Sequence, residues 1–300
     1  ITFTLLLSSV FWSLPGSATE QKKSAAEELL ERRQKVELLG FFLKDPDQAV
    51  LPKTSLGVEL LNQGIEHFTK NEYPLARKAL QDSLSHDSQN PLAYELLGEI
   101  DYREQKLAEA KANYEIAYNL NPLPELKKKL EKLQTESGVE KKLATYQEEH
   151  FMIKYYRDEQ QNQGFELREL LRTTYLALSK DFAYYFRHQV VVLLYDEKDF
   201  KEVTKVPHWV SGVYDGKVRM PINRTGFDDL DLKALTIHEV THAFVAAMSG
   251  LRAPAWINEG LAVYEENKIK AFDMSVFNSV VKKQNLLSID QLTSQNIKAS

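Results

Sequence analysis

The pattern of apolar residues divides the chain into two halves. Through the first half, apolar residues recur with the three-to-four-residue spacing of amphipathic helices. From position 150 the spacing changes, and Phe151, Ile153 and Tyr155 occupy every second position, as in a strand. We therefore predict an all-α N-terminal part followed by a domain of helices and strands over 150–300.

The second half contains further elements with distinct signatures. Residues 164–186 carry a helical stripe of apolar side chains, and 189–195 form a continuous apolar run typical of a central strand. Asp215–Gly216 between two short strand segments predicts a β-hairpin, and Pro221 confines its second strand to a sheet edge or to the end of that strand. Two helices follow, separated by 250–254. This order of elements is that of an α+β domain.

The first half contains an internal repeat with an offset of 34 residues. The offset places Gly64 on Gly98 and Ala76 on Ala110, within two repeats that together span 57–124. We interpret each repeat as a pair of helices that the glycine allows to approach closely. A helical bundle without true repeats is the alternative. Because two repeats are fewer than such arrays need for independent stability, we expect them to pack on neighbouring segments.

Charged helical segments flank the repeats. We predict an amphipathic helical segment over 19–56 and a helical linker over 125–149, with the linker charges forming a solvated face. Ser137–Gly138 is expected to break the linker, and we place the boundary between the two halves near it.

The N-terminus has features of a signal peptide. Residues 1–18 contain an uncharged apolar run followed by small residues, with cleavage expected after Ala18. The run is shorter than the roughly 20 residues that span a bilayer as a helix, and an uncleaved anchor or a buried strand are the alternatives. Since the sequence begins with Ile1, we regard the N-terminus as incomplete, and the last domain as one that could continue beyond Ser300. We expect an exported protein, periplasmic or secreted, with no stable membrane span after removal of the leader.

Overall composition narrows the possible chemistry. A net charge of −5 and a pI near 5.9 lack the basic character of a nucleic-acid-binding protein. The chain has no cysteine, which excludes disulfide bonds, thiolate zinc ligands, a cysteine nucleophile and a lipid-modified N-terminal cysteine. We therefore expect neither a nucleic-acid partner nor a lipoprotein.

A metal site is predicted by two histidines in an apolar helical segment. His238 and His242 lie four positions apart, so on a helix they are within about 40° of each other and both can reach one metal ion. Glu259, on the following helix, offers a third ligand, and Glu239 is placed as a general base for metal-bound water. Three protein ligands leave the open position of a catalytic zinc site. The alternative is a solvated helix face, which the apolar flanking residues disfavour.

These motifs resemble those of a known enzyme class. The segment 238–242 together with 256–262 is similar to the gluzincin metallopeptidases, and most similar to the peptidase MA-like domains that bacteria attach to tetratricopeptide repeats. The second repeat of the N-terminal half resembles the tetratricopeptide pattern itself. The resemblance implies a thermolysin-like α+β fold over 150–300, one Zn²⁺ ion per chain and peptide-bond hydrolysis.

The same resemblance assigns roles to individual residues. It carries over His238, His242 and Glu259 as zinc ligands and Glu239 as catalytic base. It also implies that an edge strand before the zinc-binding helix pairs with extended substrate, here over 217–222. The residues of that strand expected at the substrate edge are Val218 and Met220.

Several polar residues have weaker assignments. Glu266 could orient a zinc-binding histidine, although a surface carboxylate is the favoured alternative, and Asn258 could cap or orient the Glu259 helix. His208 and Trp209 either line the cleft or belong to a plain loop. Tyr264 should not face the metal, so the residue that stabilises the oxyanion is unassigned.

Three functional hypotheses follow. The first is a zinc-dependent metallopeptidase that uses Glu239 to activate zinc-bound water and uses its repeats to dock a partner or substrate. The second is a zinc-binding pseudo-peptidase whose repeats act as an interaction scaffold. The third is a zinc hydrolase of a non-peptide amide. Substitution of Glu239 by glutamine separates the first two, because a scaffold has no need of a base.

Overall fold

The computed structural model describes residues 52–156, 161–207, 210–221, 229–270, 275–283 and 288. The predicted leader 1–18, most of the predicted helical segment 19–56, and the loop residues His208 and Trp209 lie outside the described residues. Among the helices that are described, none combines the length and the apolar composition needed to cross a bilayer.

From residue 52 onward, where the structure describes the chain, the N-terminal half has two helical hairpins and a fifth helix. The helices are α1 (Ser55–Thr69), α2 (Tyr73–His86), α3 (Pro91–Arg103), α4 (Leu107–Leu120) and α5 (Pro124–Glu140). The turn inside each hairpin holds a residue in the left-handed backbone region, Asn71 with φ of 56° and Gln105 with φ of 61°. These two residues lie 34 positions apart. The offset found in the sequence therefore corresponds to a repeated helix–turn–helix unit.

Glycine permits the close approach of the two helices in each hairpin. A Cβ atom added at Gly64 would lie 2.8 Å from the Leu80 side chain, and one added at Gly98 would lie 2.6 Å from the Tyr114 ring. Both distances are shorter than van der Waals contact, so a larger residue at either glycine would separate the helices. The two contacts are equivalent in the repeat, as expected from the sequence.

The second half is a five-stranded mixed sheet with helices on both faces. Its elements are β1 (Leu143–Gln147), β2 (Phe151–Tyr156), α6 (Gln161–Phe182), β3 (Val190–Tyr195), α7 (Glu197–Thr204), β4 (Val213–Tyr214), β5 (Val218–Pro221), α8 (Asp229–Ser249), α9 (Ala255–Asn267) and α10 (Ser275–Lys282). The strand order is β1-β2-β3-β5-β4. β3 runs parallel to both β2 and β5, whereas β1 and β4 are antiparallel to their neighbours. This mixed α/β architecture is compatible with the predicted α+β class.

The central strand β3 contributes to two hydrophobic cores. Val192 and Leu194 pack with α6 and α8 on one face of the sheet. Val191 and Leu193 pack with α7 and with Val139 of α5 on the other face. Each fully buried aliphatic side chain contributes about 1.5–3 kcal/mol relative to exposure. The last helix of the N-terminal half is therefore part of the layer that covers the sheet.

The prediction of a helical linker over 125–149 is wrong in part. The helix α5 continues through Ser137–Gly138 to Glu140, and Leu143–Gln147 form the strand β1 instead of helix. A Cβ at Gly138 would meet no atom within 4 Å, so this glycine marks no close approach. A glycine inside a helix costs about 1 kcal/mol, which the buried side chains of α5 offset. β1 forms because it pairs along its whole length with β2.

The predicted edge strand is also wrong in its position. β5 lies inside the sheet, between β3 and β4, and the side chains of Val218 and Met220 are 0% exposed. The edge on this side is β4, formed by Val213 and Tyr214. Pro221 is the last residue of β5. At the end of a strand, its lack of a backbone N–H is tolerated.

Candidate metal centre

The helix α8 turns three of the predicted site residues toward a cleft. Its apolar residues, among them Val240 and Phe244, pack into the core beneath the sheet. Since residues three and four positions apart share a helix face, burial of the apolar side directs His238, Glu239 and His242 into the cleft.

Glu259 reaches the two histidines from α9. A turn with Gly250 at φ 59° and Leu251 at φ 64° reverses the chain between α8 and α9. Glu259 Oε2 lies 3.7 Å from His238 Nε2 and 3.8 Å from His242 Nε2. The three ligand atoms all lie within 4.8 Å of one another. Three residues from two helices thus point donor atoms at one position.

These distances are near those of a tetrahedral zinc site. Ligands bound about 2.0–2.2 Å from tetrahedral zinc lie roughly 3.3–3.6 Å apart, so the two distances from Glu259 nearly match, whereas the separation of up to 4.8 Å within the set must shorten. Binding of an ion would therefore draw the two imidazoles together as well as rotate the half-exposed Glu259 carboxylate. Burial also lowers the pKa of His242, which favours the neutral imidazole that binds metals.

Glu266 holds one histidine in position. Its Oε2 lies 2.9 Å from His238 Nδ1, which leaves Nε2 of the same ring directed at Glu259. Glu259 and Glu266 are seven positions apart on α9 and so share a helix face. The carboxylate therefore faces the site and not the solvent, in contrast to the surface role favoured from the sequence.

Replacing Glu266 with alanine is expected to lower zinc affinity by about 10–100-fold, because the His238 ring loses its orienting partner. Glutamine at the same position should lose less, since its side-chain oxygen can still accept from Nδ1. Chelator competition measures both values. Glu202→Gln, on the exposed surface of α7, is the matched control. Equal affinity in the parent and in Glu266→Ala would contradict the orienting role.

His242 has a different environment from that of His238. Nδ1 of His242 is buried and makes no hydrogen bond of normal geometry. The Asn258 side chain lies near enough to raise the pKa of His242, against the larger opposite effect of burial. The N-cap residue of α9 is Pro254, so Asn258 does not cap this helix, and its side chain lines the cleft with the candidate ligands.

Glu239 is a buried carboxyl group beside these ligands. The residue is 4% exposed. Burial raises its pKa to about 8, with the Glu259 and Asp215 carboxylates adding to the effect and His238 opposing it. Its position in the same cleft as the three candidate ligands is the one that a general base for metal-bound water requires.

Gly212 makes room for the Glu239 carboxylate. A Cβ added at Gly212 would lie 2.4 Å from Glu239 Oε1, well inside van der Waals contact. The sequence analysis missed this residue. The available signal was a glycine at the start of the hairpin, but the contact joins residues 27 positions apart and depends on the fold.

Gly212→Ala is expected to reduce any hydrolytic activity about 10²-fold, because displacing a catalytic group by about 1 Å can cost that much. Zinc binding should be unchanged, since no ligand is touched. The measurement is kcat with zinc stoichiometry determined in parallel. Gly138→Ala is the matched control, because a Cβ there meets open space. Full activity in Gly212→Ala would show that Glu239 tolerates displacement.

The candidate metal centre lies in a cleft of about 690 Å³. One wall is formed by α8 and α9, and the other by 206–207 and 210–214, which lead into and include the edge strand β4. Asn258 and Glu266 also line this cleft. Val218 and Met220 do not, because their side chains are buried beneath the sheet. Tyr264 is 61% exposed, consistent with its expected orientation away from the metal.

Comparison with known proteins adds one family match. Residues 174–300 match the model of the Peptidase MA superfamily. The matched range contains α8, α9 and all the metal-ligand candidates. No match was found among curated proteins or among solved structures. The family match supports a peptidase MA-like domain over this part of the chain.

Proposed function

We propose that this protein is a zinc-dependent metallopeptidase. The observation that carries the proposal is the convergence of His238, His242 and Glu259 within 4.8 Å beside the buried carboxyl group of Glu239. The Peptidase MA match over 174–300 supports the same reaction class. Two imidazoles and one carboxylate are the ligand set of catalytic zinc sites that hydrolyse peptides.

Each residue of the site has a chemical task. When bound, zinc would polarise the scissile carbonyl group and lower the pKa of water. Glu239 accepts a proton from the attacking water and transfers it to the leaving amine. Glu266 holds the ring of His238, and Gly212 leaves space for the carboxylate of Glu239.

The substrate is proposed to bind as an extended strand. Among the described strands, β4 forms the edge of the sheet at the cleft, and we propose that a peptide adds as a strand along 211–214. The sequence analysis had instead placed the substrate-binding edge on β5. A non-peptide amide would make no use of such an edge.

The helical half is proposed to dock a partner or the substrate protein. The support is the helix–turn–helix unit repeated at 34 residues, the length of a tetratricopeptide repeat, and the concave surfaces that such arrays present. We also propose export, on the basis of the signal-peptide-like composition of 1–18.

A zinc-binding scaffold without activity is the competing function. It would require the ligands but neither a buried carboxylate nor a glycine that accommodates one. The contact between Gly212 and Glu239 therefore favours the enzyme.

The test is cleavage of a diverse peptide library by the purified protein, with products identified by mass spectrometry. We expect cleavage with one zinc per chain, loss of cleavage after chelation, and recovery when zinc is restored. Cleavage at the same sites by Glu239→Gln protein prepared in parallel would instead belong to a contaminating peptidase. One bound zinc and no cleavage of any peptide would favour the scaffold.

A further inference from the structure

A buried polar cluster joins the β4–β5 hairpin to the helical half. Lys217, the first residue after the hairpin turn, is 0% exposed. Its Nζ donates to Glu136 Oε1 at 2.6 Å and to Gln105 Oε1 at 2.6 Å. Glu136 belongs to α5, and Gln105 lies in the turn between α3 and α4. The hairpin is thus bound to two parts of the helical half.

A second hairpin cation contacts the same carboxylate. Arg219 is 0% exposed and donates from Nη2 to Glu136 Oε2 at 2.8 Å and to the Tyr102 hydroxyl at 2.6 Å. The Tyr102 hydroxyl in turn donates to Glu136 Oε2 at 2.8 Å. Arg219 Nε also donates to Asp215 in the turn at 3.1 Å. Both oxygens of Glu136 are therefore occupied by hairpin residues.

The turn itself is held from two further sides. Lys132 of α5 forms an ion pair with Asp215. The Arg103 side chain lies against Gly216, where an added Cβ would be 3.2 Å from Nε. Gly216 has φ of 95°, a conformation that other residues rarely adopt.

Burying these charged side chains costs free energy of hydration, and their hydrogen bonds are formed in one geometry. Buried ion pairs often contribute less stability than apolar residues of the same volume, because each charge loses its hydration. Removal of one partner leaves its neighbours buried with fewer groups to satisfy their charge. The main effect of these charged groups is therefore to fix the position of the hairpin. Their contribution to the free energy of folding is the smaller effect.

The held hairpin forms a wall of the cleft. Gly212, which lies against the Glu239 carboxylate, is three residues before Asp215, a span of about 10 Å along an extended strand. The edge strand β4 lies between them. A displacement of the turn would therefore reach both the carboxylate and the proposed substrate edge.

We propose that Glu136 is a positioning residue for the active site, through which the helical half fixes the cleft wall formed by 210–214. This inference rests on the proposed peptidase function. It assigns to the helical half a role in catalysis that is separate from the docking of a partner.

Glu136→Gln tests the proposal in the full-length zinc-loaded protein. We expect kcat/KM for a peptide substrate to fall at least tenfold, with zinc stoichiometry unchanged, and amide hydrogen exchange over 210–216 to increase. Glu131→Gln is the matched control, because Glu131 lies on the same helix and is exposed. It should leave all three quantities at the parent values.

Tyr102→Phe provides a second variant if Glu136→Gln does not fold. It removes one hydroxyl that contacts Arg219 and Glu136 and leaves every charge in place, so we expect the same effects at smaller size. Unchanged exchange over 210–216 in a folded variant would overturn the inference, as would faster exchange with kcat/KM within twofold of the parent. A parent protein that cleaves no peptide would refute the proposed function, and the exchange result would still decide whether Glu136 fixes the wall.

Discussion

Glu239→Gln is expected to reduce peptide hydrolysis about 10³-fold, within the range typical for loss of a general base. Glutamine has nearly the same size as glutamate but cannot accept the proton of an attacking water. Since Glu239 is not one of the three converging ligands, zinc should remain bound at one equivalent. Initial rates on a cleaved library peptide and metal analysis of the same sample give the two quantities.

A control for this substitution is Glu115→Gln on the exposed surface of α4, which should retain full activity. Glu239→Asp adds information, because it keeps a carboxylate but withdraws it from the site, and its rate should fall between those of the parent and the glutamine variant. Undiminished hydrolysis by Glu239→Gln would mean that another group acts as base or that the activity belongs to a contaminant.

His242→Ala is expected to cause the second large effect, on metal binding. It removes one of three ligand atoms, so zinc affinity should fall by more than the roughly 100-fold upper value for loss of an orienting partner. Activity should disappear at stoichiometric zinc. Titration with a competing chelator measures the affinity, and metal analysis after gel filtration gives the stoichiometry.

His86→Ala controls for the loss of a histidine as such, since His86 is exposed at the end of α2 and remote in sequence from the site. The two variants should also differ in how added zinc changes their free energy of unfolding. Zinc that binds only the folded protein stabilises it, so added zinc should raise the Tm of the parent and of His86→Ala but not that of His242→Ala. A normal zinc response in His242→Ala would remove this residue from the ligand set.

The convergence of the three candidate metal ligands could be predicted because its geometry is largely local. His238 and His242 are adjacent on one helix face by spacing alone, and Glu259 lies on the next helix, only 17 residues further on. The short turn between α8 and α9 limits how these helices can be arranged. Local periodicity was likewise sufficient for the buried strand β3 and for the hairpin around Asp215.

The features that were missed depend on contacts between distant segments. Gly212 touches Glu239 only because β4 lies beside α8, and the pair Glu136–Lys217 joins residues 81 positions apart. The inner position of β5 follows from strand order, which apolar patterning does not encode. β1 was predicted as helix because its charged flanks resemble those of α5, whereas pairing with β2 decides its conformation.

The two faces of β3 pack into two different hydrophobic cores, and this limits where the chain can be cut. A fragment beginning at residue 150 would retain the candidate metal ligands but lose β1, which pairs with one edge of β2, and α5 with its buried Val139. It would expose an apolar sheet face, an unpaired strand edge, and the buried cations Lys217 and Arg219 without Glu136. The family match begins at residue 174, whereas we expect that a stably folded fragment must begin in the helical half.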